Sequence, residues 1–342
     1  MPPQRDAPHP TDPLGMPEGL LAAVICAGLL IGSFAVTTAY TTMPPGERWA
    51  ALTTFSLLAV AYTLPGSAAL YDALGRAVRR DWRALATLAA LVPTLYMAYS
   101  VAVGRFELLG LISAALFAAV PAVAMLRAAD SRTPTAIDAV GIGYLWLSLQ
   151  LGLLPGFGLP EQGAMVGFFQ MVAPPLLLLL LAARGWPGLG YTWFLSAADL
   201  RAALLASAAL VVVVGGLAWA LGLIGAPAAL PGGAALLGAA LSAYFFSALP
   251  AELLLRGVAQ NGAARALAAR GVARAELIGL ATGVALTLVG ALISPGGGWR
   301  LALVEAVAAL GYGWVYMRTG KTTASAVPHM FVALLLMLFA SL

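Results

Sequence analysis

The sequence predicts an all-α fold, a polytopic transmembrane helical bundle of about eleven spans. Three observations predict it. Hydrophobic residues fill 61% of the 342 positions and charged residues only 9%, whereas soluble domains carry about 25% charged residues. A compact chain so poor in charge has too few polar groups to coat a water-facing surface, and its mean hydropathy is +0.93. The apolar residues also come in runs of roughly 20, the length of helix that crosses a bilayer core. Lipid offers no partner for open backbone groups, so helices are the spanning elements. Finally, the basic residues stand at the ends of these runs rather than on one face, which excludes a nucleic-acid surface.

Residues 1–18 are proline-rich and lack an apolar period, the composition of a disordered tail. Six runs follow in an N-terminal unit of residues 19–199: 19–40, 50–71, 84–103, 107–126, 136–154 and 163–183. Five more occupy a C-terminal core of residues 200–342: 202–224, 233–257, 276–294, 300–317 and 323–341. The first run is too long for a removed signal and lacks a small-residue cleavage site, so it is read as a span. The lone cysteine, Cys26, excludes a disulfide within the chain and says nothing of compartment.

Orientation follows from the charges. With the N-terminus in the cytoplasm and the chain alternating, the inner segments hold Arg5, Arg76, Arg79, Arg80, Arg83, Arg127, Arg132, Arg184, Arg201, Arg256, Arg265, Arg270, Arg274, Arg318 and Lys321. Only Arg48, Arg105 and Arg300 fall outside. Cytoplasmic segments are enriched in Lys and Arg. The sequence therefore predicts a multi-pass inner-membrane protein with a cytoplasmic N-terminus and an external C-terminus. The RAVRRDWR cluster at 76–83 is expected to anchor that orientation against anionic lipid. Trp186, Trp193, Trp299 and Trp314 lie near span ends, as interfacial aromatics do.

Residues 250–260 read PAELLLRGVAQ, in otherwise apolar surroundings. The charge split places Arg256 near the cytoplasmic end of the eighth span and Glu252 one turn deeper, about 6 Å. The plain interpretation is an i,i+4 ion pair that eases a helix end out of the membrane. The functional one starts from the cost of an intramembrane carboxylate, about 2.5–3.5 kcal/mol even on lenient scales. After His9 the only histidine is His329, in TASAVPHMFVALLLMLF. It follows Lys321 by two helical turns, so it lies about 12 Å deep. Glu252 and His329 then share a level on two different helices. A lone histidine in an apolar helix is commonly a packed, hydrogen-bonded residue. The sharper expectation is that it meets Glu252 in one pocket open to the cell interior.

Other signals are weaker. Arg318-Thr-Gly-Lys321-Thr322 ends like a phosphate-binding loop, but the required first glycine falls on Val315 and no strand precedes it, so it is read as a turn. Gly296, Gly297 and Gly298 form a flexible external loop. Gly279 and Gly283 make a small-xxx-small pair suited to close helix packing. Glu305, inside the tenth span, either pairs with Arg300 or is a functional acid. One Glu and one His are too few for the three protein ligands of a catalytic zinc, so neither a metal nor a cofactor is expected.

Glu252-Leu-Leu-Leu-Arg256-Gly257, followed by GYGWVYMRTGKTTASAVPHMF at 311–331, resembles the CPBP intramembrane peptidase family. That family includes CAAX prenyl-proteases and bacteriocin-immunity-type membrane proteins. The similar region covers residues 200–342. The family's motifs are Glu-Glu-x-x-x-Arg, Phe-x-x-x-His and His-x-x-x-Asn. Order and spacing agree, but the leading Glu falls on Ala251, the second motif's His falls near Thr287 or Ile293, and Ala333 stands where the third motif has Asn. The resemblance implies that the missing Glu and His are the water-activating pair, and that Glu252, Arg256 and His329 are vestigial or supporting catalytic residues. General-base assistance is worth about 10²–10⁴ in rate and each oxyanion donor about 10²–10³. Glu252 cannot simply substitute, because adjacent helix positions point about 100° apart.

The sequence thus predicts a catalytically degenerate member of that family, a pseudoenzyme. Its expected partners are the lipid bilayer, a membrane-protein partner or complex, or a peptide or lipid-like ligand. Two alternatives stand beside it: an active endopeptidase cleaving membrane-associated, CAAX-like peptides, and a transporter-like protein in which the first six spans form a path.

Overall fold

The computed structural model describes residues 19–39, 42–127, 135–161, 166–186, 188–226 and 231–340. The tail, with Arg5 and His9, and Arg132 lie outside the described residues. Among those described, the chain is a helical bundle: α1 Leu20–Ala39, α2 Pro45–Thr63, α3 Ala68–Arg80, α4 Trp82–Ala102, α5 Leu108–Arg127, α6 Ala136–Gln150, α7 Phe168–Arg184, α8 Ala197–Ala220, α9 Gly233–Ala268, α10 Ala275–Ile293, α11 Trp299–Thr319 and α12 Thr322–Phe339. A two-residue hairpin, β1 Gly158–Leu159 against β2 Val166–Gly167, precedes α7.

Each run expected from the sequence corresponds to one of these helices, but the count of eleven spans is not reached. Eight are long and apolar enough to cross a membrane. Of the other three, α6 and α7 are short, at 15 and 17 residues, and α11 carries Arg300, Glu305 and Arg318. The short α7 has a physical explanation. Its LLLLLL run is buried on every side, as befits a helix apolar all round. It is the central post of the N-terminal half and meets protein where the others meet lipid. In the same core lie Phe34 and Phe55, stacked with centroids 4.0 Å apart, and Tyr96, Phe117 and Phe157.

Hydrogen bonds tie the end of α2 to the C-terminal half and to the segment before α8. Tyr62 Oη donates to the Phe245 carbonyl at 3.2 Å, and Tyr191 Oη donates to the Tyr62 carbonyl at 2.6 Å. Trp193 Nε1 donates to the Thr63 carbonyl at 2.7 Å. Trp186 is buried and Trp193 half-buried against α2. Trp299 and Trp314 are exposed.

Contacts between helix ends define the two ends of the bundle. At one end Arg79 donates to the Ala182 carbonyl, Arg184 pairs with Asp138, and Lys321 pairs with Asp199 at 2.7 Å. At the opposite end Gln150 bonds Ser294 and the Gly290 carbonyl, and Ile224 bridges Ala340. The basic helix ends gather at the first of these. α3, which the span count did not anticipate, is amphipathic; it keeps Arg76 and Arg80 exposed and buries Val78.

Candidate functional site

The site stands on the middle of α9. Pro250 has no N–H and its ring crowds the carbonyl four residues earlier, that of Phe246. The helix accommodates this with widened, π-type turns at Ala243–Ala248 and Leu253–Gln260, on either side of Leu249–Glu252. Such turns re-aim side chains and are frequent at functional positions. α9 also corrects an expectation. It runs twelve residues past Arg256, so Arg256 is an interior residue rather than an end charge.

Glu252 and Arg256 are fully buried. Arg256 Nε donates to Glu252 Oε2 at 3.1 Å, Nη1 to Gln260 Oε1 at 3.4 Å and Nη2 to Thr287 Oγ1 at 3.5 Å. Gln260 Nε2 passes the chain on to the Gly313 carbonyl at 3.2 Å. A buried ion pair survives only when its remaining donors find partners, and this fan across α9, α10 and α11 supplies them. Two glycines make room for it. A methyl group at Gly283 would stand 2.5 Å from Arg256 Nη1, and one at Gly313 would stand 2.8 Å from Gln260 Oε1.

His329 arrives from α12. Gly320, at φ +66°, ends α11 and reverses the chain, the turn expected between these two helices. His329 Nδ1 lies 2.9 Å from Glu252 Oε1, and the Tyr312 ring stacks on the imidazole at 4.6 Å and 5°. The carboxylate opposite Nδ1 holds the ring proton there, so the neutral ring offers Nε2 as an acceptor. The structure thus brings Glu252, Arg256 and His329 into one cluster, and both Glu252 oxygens are taken.

Beside the cluster lies a cavity of about 460 Å³. His329, Ala251, Thr287 and Glu305 line it together. Ala251 and Thr287, two of the positions on which the resemblance places the missing Glu and His, are in this wall; Ile293, the other register, is exposed. Glu252 is not in the lining. The cavity extends past Gly290 to Gln150, Ser294 and Leu301, the end opposite Lys321. A second, apolar cavity of about 370 Å³ reaches the basic end beside Trp186 and Gly262 and shares Trp146, Leu254, Leu255 and Leu286 with the first.

Sequence reasoning missed Gln260 and Tyr312. Gln260 was within reach, since it continues the 252, 256, 260 ladder of one helix face. Tyr312 had no local signal, because only the turn at Gly320 folds α11 back onto α12. Glu305 does not pair with Arg300, whose guanidinium lies over the Trp299 ring, 5.6 Å from its centroid. Ala333, one turn beyond His329, contributes no donor. No group of three or more His, Cys, Asp and Glu side chains able to hold a metal occurs among the described residues.

Comparison with known proteins agrees with the motifs. Residues 233–335 match the family model described as type II CAAX prenyl endopeptidase Rce1-like. No curated protein and no solved structure matches the chain. Helices α9 to α12, with their Glu–Arg and His motifs, thus carry the signature of the Rce1-like CAAX prenyl endopeptidases of the CPBP family.

Proposed function

We propose that this chain is a non-hydrolytic relative of the intramembrane prenyl endopeptidases, whose cavity holds a lipid-like or peptide ligand or a segment of a membrane partner. One observation carries the reading. Ala251 and Thr287 line the cavity beside His329, where peptide hydrolysis needs a carboxylate and an imidazole to deprotonate water. Glu252 has both oxygens engaged and no place in the wall. Losing general-base assistance removes about 10²–10⁴ in rate, and Ala333 forgoes an oxyanion donor worth about 10²–10³ more. The adjoining apolar cavity supports a ligand with a hydrocarbon portion. The enrichment of Lys and Arg in cytoplasmic segments supports an inner-membrane protein with its basic end in the cytoplasm, and on that reading the His329 cavity faces outward.

A second reading, an active endopeptidase with an altered constellation, is favoured by the Glu252–His329 pair, because a carboxylate-oriented imidazole with Nε2 unengaged is a competent proton acceptor. One assay separates the two. Purified protein in proteoliposomes is given prenylated and membrane-anchored reporter peptides. We expect cleavage no faster than in empty liposomes. Cleavage that disappears in Glu252→Gln overturns the non-hydrolytic reading.

A further inference from the structure

α11 carries one acid through an apolar stretch, LALVEAVAAL. Glu305 lines the cavity and has no hydrogen-bond or ion-pair partner among the described residues. The ionisable side chains that act on it are His329 and Glu252, and His329 is already held by Glu252. Arg256 serves Glu252, Gln260 and Thr287 and is fully buried. An intramembrane acid is expensive and ordinarily pairs or serves a pathway. Glu305 is kept at that cost with no lysine or arginine paired to it among the described residues.

The polar groups around it narrow what can satisfy it. Thr287 Oγ1 donates its proton to the Gly283 carbonyl at 2.8 Å and so offers the cavity a lone pair. His329, its proton held at Nδ1 by Glu252, offers the Nε2 lone pair. Glu305 offers a carboxylate. All three are acceptors; the wall also includes Trp146, Leu149 and Leu301, with the Gln170 amide and the Ser247 hydroxyl as further polar groups of the lining. An anion finds no donor among these three groups. A primary ammonium brings three donors and one positive charge. We propose that this cavity recognises the ammonium head of a single-chain amphiphile, with Glu305 as its charge partner and the apolar wall taking the chain. The inference rests on the cavity being a ligand site, and adds which ligand chemistry it selects.

Dodecylammonium and dodecanol, which share a chain and differ in the head, are the probes. Each is titrated against the full-length protein in nonionic micelles, and bound copies are counted by native mass spectrometry. We expect one-to-one binding of dodecylammonium about tenfold or more tighter than dodecanol, the scale of a charge-assisted hydrogen bond. Glu305→Gln is expected to erase the preference while still binding dodecanol, and its unchanged unfolding midpoint verifies the fold. A preference that survives in Glu305→Gln, or none in the wild type, overturns the role of Glu305 alone. Failure of both probes to bind one-to-one overturns the ligand site as well, whereas peptide cleavage bears only on the hydrolytic question.

Discussion

At the residue scale, the informative contrast is between Glu252 and Ala251. One position apart on α9, the first is sealed between Arg256 and His329 and the second opens on the cavity. The sealed cluster is structural in its energetics. Removing one partner leaves a buried charge uncompensated, at about 3–5 kcal/mol. Arg256→Met is therefore expected to lower stability by about that amount, measured by denaturant unfolding in micelles. Adding Glu252→Gln should recover much of the loss, since a neutral amide needs no counter-charge. If the double variant is less stable than the single, the ion pair is not what holds these three helices. Glu252, Arg256 and His329 were legible in the sequence because ionisable residues in apolar runs are conspicuous. Which of their atoms touch was not, since that depends on how far each helix turns about its own axis.

At the element scale, α9 and α10 approach closely because Gly279 and Gly283 face α9. A methyl at Gly279 would stand 2.5 Å from the Gln260 carbonyl oxygen, and backbone cannot yield as a side chain can. Gly279→Leu should destabilise by about 1–3 kcal/mol, the usual cost of overpacking. Gly32 of α1, with nothing within 4 Å of an added methyl, provides the control. Gly32→Ala should be neutral or gain up to about 1 kcal/mol from helix propensity. Equal effects at the two positions would contradict the close approach. The small-xxx-small spacing announced this packing. The widened turns of α9 were not announced, since Pro250 signals only that regular hydrogen bonding fails, not how the helix re-forms around it.

At the scale of the whole molecule, the two ends differ in charge, and the cavity reaches the end poor in arginine. That arrangement is testable in intact cells. On a Cys26→Ala background, Pro295→Cys should react with a membrane-impermeant maleimide from outside, and Ala269→Cys only after permeabilisation. Ala251→Cys should follow Pro295→Cys, because the cavity wall it joins extends toward Ser294 and Leu301. The reverse labelling pattern would invert the orientation, and Ala251→Cys labelling with Ala269→Cys would place the opening at the other end.

The sequence by itself determined the class of fold, the solvent it lives in, the positions of the long apolar helices and the resemblance to the prenyl endopeptidase family. These depend on local apolar runs, on charge at their ends and on spacing along one chain, all of which are properties of neighbouring residues. Only the tertiary structure decided that Arg256 is interior, that Thr287 rather than Ile293 joins Ala251 in the cavity wall, that Glu305 lines it without a salt bridge among the described residues and that the cavity reaches the arginine-poor end. Those follow from the rotation and crossing of helices against one another, which are set by contacts between residues far apart in the chain. In this protein the contacts are made by glycines at the crossings and by a fan of hydrogen bonds around one buried guanidinium.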